Sequence, residues 1–337
     1  MTRAAFVGIG HALPERRVTS TDIEDRVRGG IDPRLIRSGV IESLSGVRER
    51  RHAPAGTASS DLAAQAAHRA LDDAHLDPED IDLLIFAAAS HDISEPATSN
   101  VVQVKTGCVN ASVVDIKNAC NSFVNALDLA AAAIETGRAK RVLIATGEIL
   151  SLFIDYDIKG VRELRTKFAA LTLGDGGGAA VLEAVDSGNR GVYAGAFMSD
   201  GSQWELSTLL AGGTLMGRDT SRSFFECDSS ALQDLAVRTV PPVFKNALAS
   251  VGWTPDDVDL VVSHQVSIGI FERILPVISI PIERAMITVD RYGNTAAASI
   301  PLALSTAQEE GRLKRGDKVA LVGAAAGWSV GVIPVIW

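Results

Sequence analysis

Two stretches of this chain repeat one another, and that constrains its fold more than anything in its composition. Ala70-Leu71-Asp72-Asp73-Ala74-His75-Leu76-Asp77-Pro78-Glu79-Asp80-Ile81-Asp82-Leu83 is echoed by Ala247-Leu248-Ala249-Ser250-Val251-Gly252-Trp253-Thr254-Pro255-Asp256-Asp257-Val258-Asp259-Leu260, with the prolines 177 positions apart (255 − 78). Gly137–Arg141 precedes the apolar run Val142–Ala145, and Gly311–Arg315 precedes Val319–Val322, at an offset of 174 (311 − 137). Two copies of one half-fold explain both echoes. The expected halves are residues 1–170 and 171–337, meeting near Phe168–Leu173 in one compact duplicated unit.

The residue pattern between the echoes gives the class. Apolar runs at Arg3–Ile9, Ile81–Ala89, Ser112–Ile116, Arg141–Thr146, Gly177–Leu182, Asp259–Ser263, Lys318–Gly323 and Gly331–Trp337 alternate with Ala- and Leu-rich stretches such as Asp61–His75 and Ser122–Glu135. That alternation predicts an α/β fold with mostly parallel sheets. Ser122–Glu135 is apolar almost all round, so it requires burial on every side. A helix layer between two sheets meets that requirement, with Ala296–Glu310 as its counterpart.

Composition narrows the partners. A net charge of −9 argues against a nucleic-acid backbone as ligand. No apolar run is long enough for a membrane span, and Met1–Gly8 lacks the regions of a signal peptide. Cys108, Cys120 and Cys227 form no disulfide framework and no CxxC pair, which fits a reducing cytoplasm. No His/Cys/Asp cluster has metal spacing.

Three residues carry the chemistry. Cys120 falls between the strand Ser112–Ile116 and the apolar helix, where free N–H groups and the helix dipole favour a thiolate and can receive an oxyanion. His264 ends the strand Asp259–Ser263, the position at which α/β folds place their sites. Asn294 lies in Tyr292-Gly293-Asn294-Thr295 ahead of the second apolar helix, where it also suits an N-cap. The offset of 174 carries Cys120 onto Asn294 and sets them at equivalent positions about a pseudo-twofold axis. Gly174–Gly178 lacks the Lys-Ser/Thr end of a phosphate loop and predicts close backbone packing. Gly323–Trp328 follows a strand and can bring a backbone N–H to an oxyanion. Gly8-Ile9-Gly10 is only half of a dinucleotide fingerprint. Of the other histidines only His91, after a strand, stays a minor candidate.

These motifs resemble the thiolase-fold condensing enzymes, most closely the ketoacyl-acyl-carrier-protein synthase III group. Ser45-Gly46-Val47-Arg48-Glu49-Arg50, Asn118-Ala119-Cys120, Gly174–Gly178, His264-Gln265 and Gly293–Pro301 each match a motif of that group, spread over essentially the whole chain. The resemblance implies an αβαβα layered sandwich, a homodimer, and acyltransfer with no cofactor beyond acyl-coenzyme A or acyl-carrier-protein thioesters. It implies Cys120 as acyl acceptor, and His264 with Asn294 holding the carbonyl of a second thioester. It implies an oxyanion hole from the N–H groups of Cys120 and Gly327.

The departures are equally informative. His264-Gln265-Val266-Ser267-Ile268-Gly269 lacks the Asn and Arg that follow in the housekeeping enzyme, which bears on carrier-protein docking. The group's early Trp, which stacks on coenzyme A, has no counterpart between Asp32 and Ser45. Ser90–Thr98 is similar to the branch that joins two long or β-keto acyl chains, in which a Glu at the place of Glu95 acts as a base from the partner subunit. The expectation is a Claisen-type condensation in specialised lipid or polyketide metabolism. An alternative keeps Cys120 and His264 and passes the acyl group to oxygen or nitrogen. A papain-like hydrolase or a non-catalytic partner subunit fits less well, because neither pairs a duplicated chain with an intact Cys120.

Overall fold

The computed structural model describes residues 2–29, 36–186 and 190–337. Its first sheet contains β1 (Thr2–Ala12), β2 (Leu83–Ala87), β3 (Ser112–Ile116), β4 (Arg141–Glu148) and β5 (Gly176–Asp186), in the order β1-β5-β4-β2-β3. The second contains β6 (Gly191–Val192), β7 (Ala196–Ser199), β8 (Leu260–Ser263), β9 (Ala285–Met286), β10 (Lys318–Ala325) and β11 (Ser329–Ile336), in the order β9-β8-β10-β11-β6, with β7 also pairing to β11. Directions repeat with the order. β2 is parallel to β3 and β4, and β5 runs antiparallel to β4 and β1. β8 is parallel to β9 and β10, and β11 runs antiparallel to β10, β6 and β7.

The sequence echo is one turn built twice. Ile81 N–H donates to Pro78 O at 3.3 Å and Val258 N–H to Pro255 O at 3.2 Å. Asp82 N–H donates to Arg141 O at 3.1 Å and Asp259 N–H to Lys318 O at 2.9 Å. Each copy thus enters its first parallel strand through a proline-initiated turn capped by a carboxylate.

The expected boundary at 170/171 lies one strand too early. β5 sits between β1 and β4 in the first sheet, where it is the counterpart of β11, and the second sheet begins at Gly191. A glycine-rich strand carries no echo of Ser329–Ile336, so its side chains do not reveal its partner.

Five layers follow from the burial pattern. α3 (Ser122–Glu135) and α6 (Ser299–Glu309) lie between the sheets, and both touch strands of each. Phe123, Val124, Ala126, Leu127 and Ala130 of α3 are fully buried, as are Ile300, Leu302, Ala303 and Leu304 of α6. Burying a large apolar side chain contributes about 1.5–3 kcal/mol, so each of these side chains adds appreciably to stability. Leu129 departs from the expected all-round burial at 54% exposed. α1 (Ser59–Ala74) and α2 (Thr98–Thr106) cover the outer face of the first sheet, and α4 (Ser229–Ser250) with α5 (Ile268–Ile274) covers the second.

Close approach explains the glycines. A Cβ on Gly8 would lie 2.1 Å from Ala70 O, so Gly8-Ile9-Gly10 serves the contact of β1 with α1. A Cβ on Gly178 would lie 2.6 Å from Pro301 Cγ, which is the close packing expected for Gly174–Gly178.

Candidate active site

The three chemistry-bearing residues of the sequence line one cavity of about 700 Å³. Each arrives from a different element. Cys120 sits in the turn between β3 and α3, where Ala119 adopts φ +46°, a left-handed conformation that costs an alanine about 1–2 kcal/mol. His264 follows the last residue of β8. Asn294 lies just before the turn into α6, in which Ala296 adopts φ +43°.

The two turns are copies, but not in the expected register. Ala119 and Ala296 share the left-handed conformation, and Ser122 and Ser299 begin the two helices. Both pairs are 177 apart (296 − 119 and 299 − 122). The counterpart of Cys120 is therefore Ala297, and Asn294 belongs to the longer connection between β9 and α6. The offset of 174 came from beyond the helices: α6 has 11 residues where α3 has 14, and the connection after it makes up the difference.

Hydrogen bonds fix the orientation of Asn294 and His264. Asn294 Oδ1 accepts Ala296 N–H at 2.9 Å, which leaves its amide NH2 as the donor free for the cavity. His264 Nδ1 is 2.9 Å from Ser299 Oγ. Beside it, Gln265 spans the strand ends. Its amide donates to Ser263 O and Met286 O, both at 2.9 Å, while its Oε1 accepts Thr288 N–H at 2.9 Å. The sequence pair His264-Gln265 is thus a ring facing the cavity and a structural strut.

Electrostatics departs from the expectation for Cys120. Cys120 is half-buried at the cavity wall, and desolvation pushes the thiol up to about 12, helped by the charge of Glu148. Desolvation outweighs the helix end, so the resting group is a thiol. Burial pushes His264 down to about 4, so its ring is neutral across the physiological range.

Glu148 escaped the sequence reading. It ends β4, wholly buried, and its carboxylate accepts Ala89 N–H at 2.7 Å, Ser90 N–H at 3.0 Å and Ser90 Oγ–H at 2.5 Å. Ala297 N–H, from the other copy, donates to it at 3.3 Å. Burial raises this carboxyl to about 7 although all of these donors favour its ionised form. Its only sequence signal was a charged residue closing an apolar strand. We expect Glu148→Gln to move the midpoint of Cys120 alkylation by iodoacetamide to lower pH, because it deletes the anion that resists thiolate formation. A folded variant with an unmoved midpoint would limit Glu148 to bridging the two copies.

The remaining candidates divide. Gly327, at φ +76°, occupies the turn between β10 and β11, flanked by Ala326 and Trp328, which line the cavity. His91 also lines it, 3.3 Å from Lys117 Nζ. Glu95 is exposed in the loop after β2 and lies outside the cavity wall of the single chain. Among the described residues no cluster of His, Cys, Asp or Glu could hold a metal, and no helix is long and apolar enough to cross a membrane.

Helix, sheet, helix, sheet, helix, in two topological copies with a cysteine at the entry to the first central helix, defines the thiolase-fold condensing enzymes. Residues 114–201 match the model of 3-oxoacyl-[acyl-carrier-protein] synthase III, and residues 248–337 match that of its C-terminal part. β-Ketoacyl-[acyl-carrier-protein] synthase III of Clostridioides difficile is 34% identical over 341 residues, covering 100% of this chain and 99% of the relative. That of Rhodobacter capsulatus is also 34% identical, over 99% of both chains. The crystal structure of the Aquifex aeolicus synthase III superposes with a TM-score of 0.88 at 30% identity, covering 99% of this chain and 100% of that one. A variant of OleA from Xanthomonas campestris reaches 0.90 at 28% identity, over 99% and 98%. The chain belongs to the 3-oxoacyl-[acyl-carrier-protein] synthase III family, and it is an acyltransferase of the thioester-condensing type.

Proposed function

We propose that this enzyme takes an acyl group from a thioester onto Cys120 and joins it to a second thioester by a new C–C bond, in specialised lipid or polyketide metabolism. The observation that carries the reading is the single cavity shared by Cys120, His264 and Asn294, with its long apolar wall. Val240 and Ala236 of α4, Ile270 and Ile274 of α5, and Leu209 and Phe225 from the chain before α4 form that wall, which suits an extended acyl chain. OleA of Xanthomonas campestris with bound lauric acid and lauroyl-CoA superposes at a TM-score of 0.89 and 29% identity, which supports the same substrate class here.

In this reading the N–H groups of Cys120 and Gly327 receive the oxyanion of the thioester under attack. His264 and Asn294 handle the proton and the carbonyl of the reacting partners, and coenzyme A or a carrier protein delivers the acyl groups in the cytoplasm. Incubation with a panel of short to long acyl-coenzyme A and acyl-carrier-protein thioesters, followed by intact-protein mass spectrometry, tests it. A mass gain that a second thioester discharges as a β-keto product supports the reading, and discharge as an ester or amide replaces it with O- or N-transfer.

A homodimer completes the site. β3 is an edge strand, and its Val114 is 42% exposed beside Val104 at 83% and Val109 at 67%, an apolar margin suited to a second copy. Glu95, exposed on the loop after β2, then reaches the partner's cavity and acts as base toward the second substrate. Glu95→Gln is expected to acylate Cys120 at the parent rate and to condense more slowly. Unchanged condensation would leave Glu95 a loop residue.

A further inference from the structure

We infer that Ser299 is a positioning residue that holds neutral His264 in its Nδ1–H form, so that the bare Nε2 is the base that accepts the Cys120 thiol proton. The inference rests on the acyl-cysteine reading above, but its evidence is local hydrogen bonding. Ser299 Oγ has one proton and three neighbours: Ala296 O at 2.7 Å, His264 Nδ1 at 2.9 Å and Gln265 N–H at 3.4 Å. Ala296 O can only accept. If the hydroxyl proton went to Nδ1, two oxygens would face each other at 2.7 Å with no proton between them. Sending it to Ala296 O leaves the two lone pairs of Oγ to accept from Gln265 N–H and from Nδ1–H, and every group is satisfied.

The first copy of the turn answers the same question without ambiguity. Ser122, the counterpart of Ser299, donates to Ala119 O at 2.7 Å. Its Oγ accepts Asn118 N–H at 2.9 Å, a backbone donor with no tautomer to choose. In the second copy His264 Nδ1, from the end of β8, approaches the serine oxygen instead, and with the hydroxyl proton committed to Ala296 O it is the donor. The Ala296 carbonyl adds to this by favouring a protonated ring nitrogen. No charged side chain contributes to the ring's depressed proton affinity, which comes from burial alone.

The consequence separates the roles of His264 and Asn294. With the proton on Nδ1, neutral His264 has no hydrogen on Nε2 to offer a carbonyl, and the Asn294 amide is the donor. In acylation the Cys120 sulfur forms a bond to the thioester carbon while its proton passes to Nε2. When the tetrahedral adduct collapses, the bond to the departing thiolate breaks, and that thiolate takes the proton back from Nε2. His264 ends as it began, and no other reactant is needed.

The test is a nitrogen NMR spectrum of the full-length protein labelled with ¹⁵N-histidine near pH 7, with the His264 signals assigned by their loss in His264→Gln. A protonated Nδ1 and unprotonated Nε2 are expected, with that preference lost in Ser299→Ala and restored in Ser299→Thr. Acylation at pH 7 should fall by about tenfold in Ser299→Ala, the scale of one lost hydrogen bond. A protonated Nε2 in the parent overturns the inference, even if Cys120 acylates normally. Absence of any acyl-enzyme would instead sink the acyl-cysteine reading and leave the tautomer standing.

Discussion

Cys120→Ala is expected to abolish covalent acyl capture, with no adduct appearing at another thiol. The comparison within the cavity makes this a demanding result, because Cys227 lines the same space. Cys227 is buried, and burial raises its thiol too. Like Cys120 it stands two residues before a helix, but its sulfur accepts from a hydroxyl, Ser229 Oγ at 3.7 Å, and its backbone is held in a short strand pair. Cys108 is buried outside the cavity. Cys120 lies in the turn into the central helix α3 and directs its own backbone N–H toward its sulfur. Peptide mapping after exposure to an acyl thioester should find the mass gain on the peptide containing Cys120 in the parent, and none in Cys120→Ala. An acyl group on Cys227 would move the nucleophile across the cavity and undo the assignment.

How much of this was legible in sequence depends on the kind of residue. The repeated Pro-Glu-Asp and Pro-Asp-Asp turns announced the duplication because the capped turn needs those side chains. The buried helices were legible because nothing but a layer between two sheets covers a helix that is apolar all round. That Cys120, His264 and Asn294 meet in one cavity was legible because a thiol, a ring and an amide stood at strand and helix ends. The place of β5 was not, since a glycine-rich strand records close approach and not its neighbours. Nor was Glu148, whose significance is three-dimensional: it gathers N–H groups from positions near 90 and 297 that share no motif.

The charge state of the cysteine shows the same limit. A helix N-terminus beside a thiol reads as a lowered proton affinity, and that expectation is sound where water still solvates the sulfur. Here the depth of the cavity reverses it, because removing water from a thiolate costs more than a helix end returns. Sequence reports which groups are adjacent along the chain, but desolvation depends on everything that closes over them. The reversal is why the proposed mechanism assigns His264 a task in acylation that helix position alone would not require.

His264→Ala and Asn294→Ala should therefore fail at different steps and with different pH behaviour. In the parent, Cys120 stays a thiol up to about 12 and His264 stays neutral down to about 4. The base is then available throughout pH 5 to 9, as estimated from those limits, and single-turnover acylation should be nearly flat across that range and decline only as pH falls toward 4. Without the imidazole, acylation must wait for the rare thiolate. His264→Ala should lose roughly 10²- to 10⁴-fold at pH 7, and its rate should climb about tenfold per pH unit, since the thiolate fraction does so below the thiol pKa. Asn294→Ala keeps both the thiol and its base. It should acylate with the parent's flat profile and lose about 10²- to 10³-fold in the second half-reaction, the scale of a missing donor to an oxyanion. Rapid-quench mass spectrometry of the acyl-enzyme and product assay after adding the second thioester measure the two steps separately. A flat acylation profile in His264→Ala would show that helix position alone suffices to activate Cys120, and would return His264 to the second step beside Asn294.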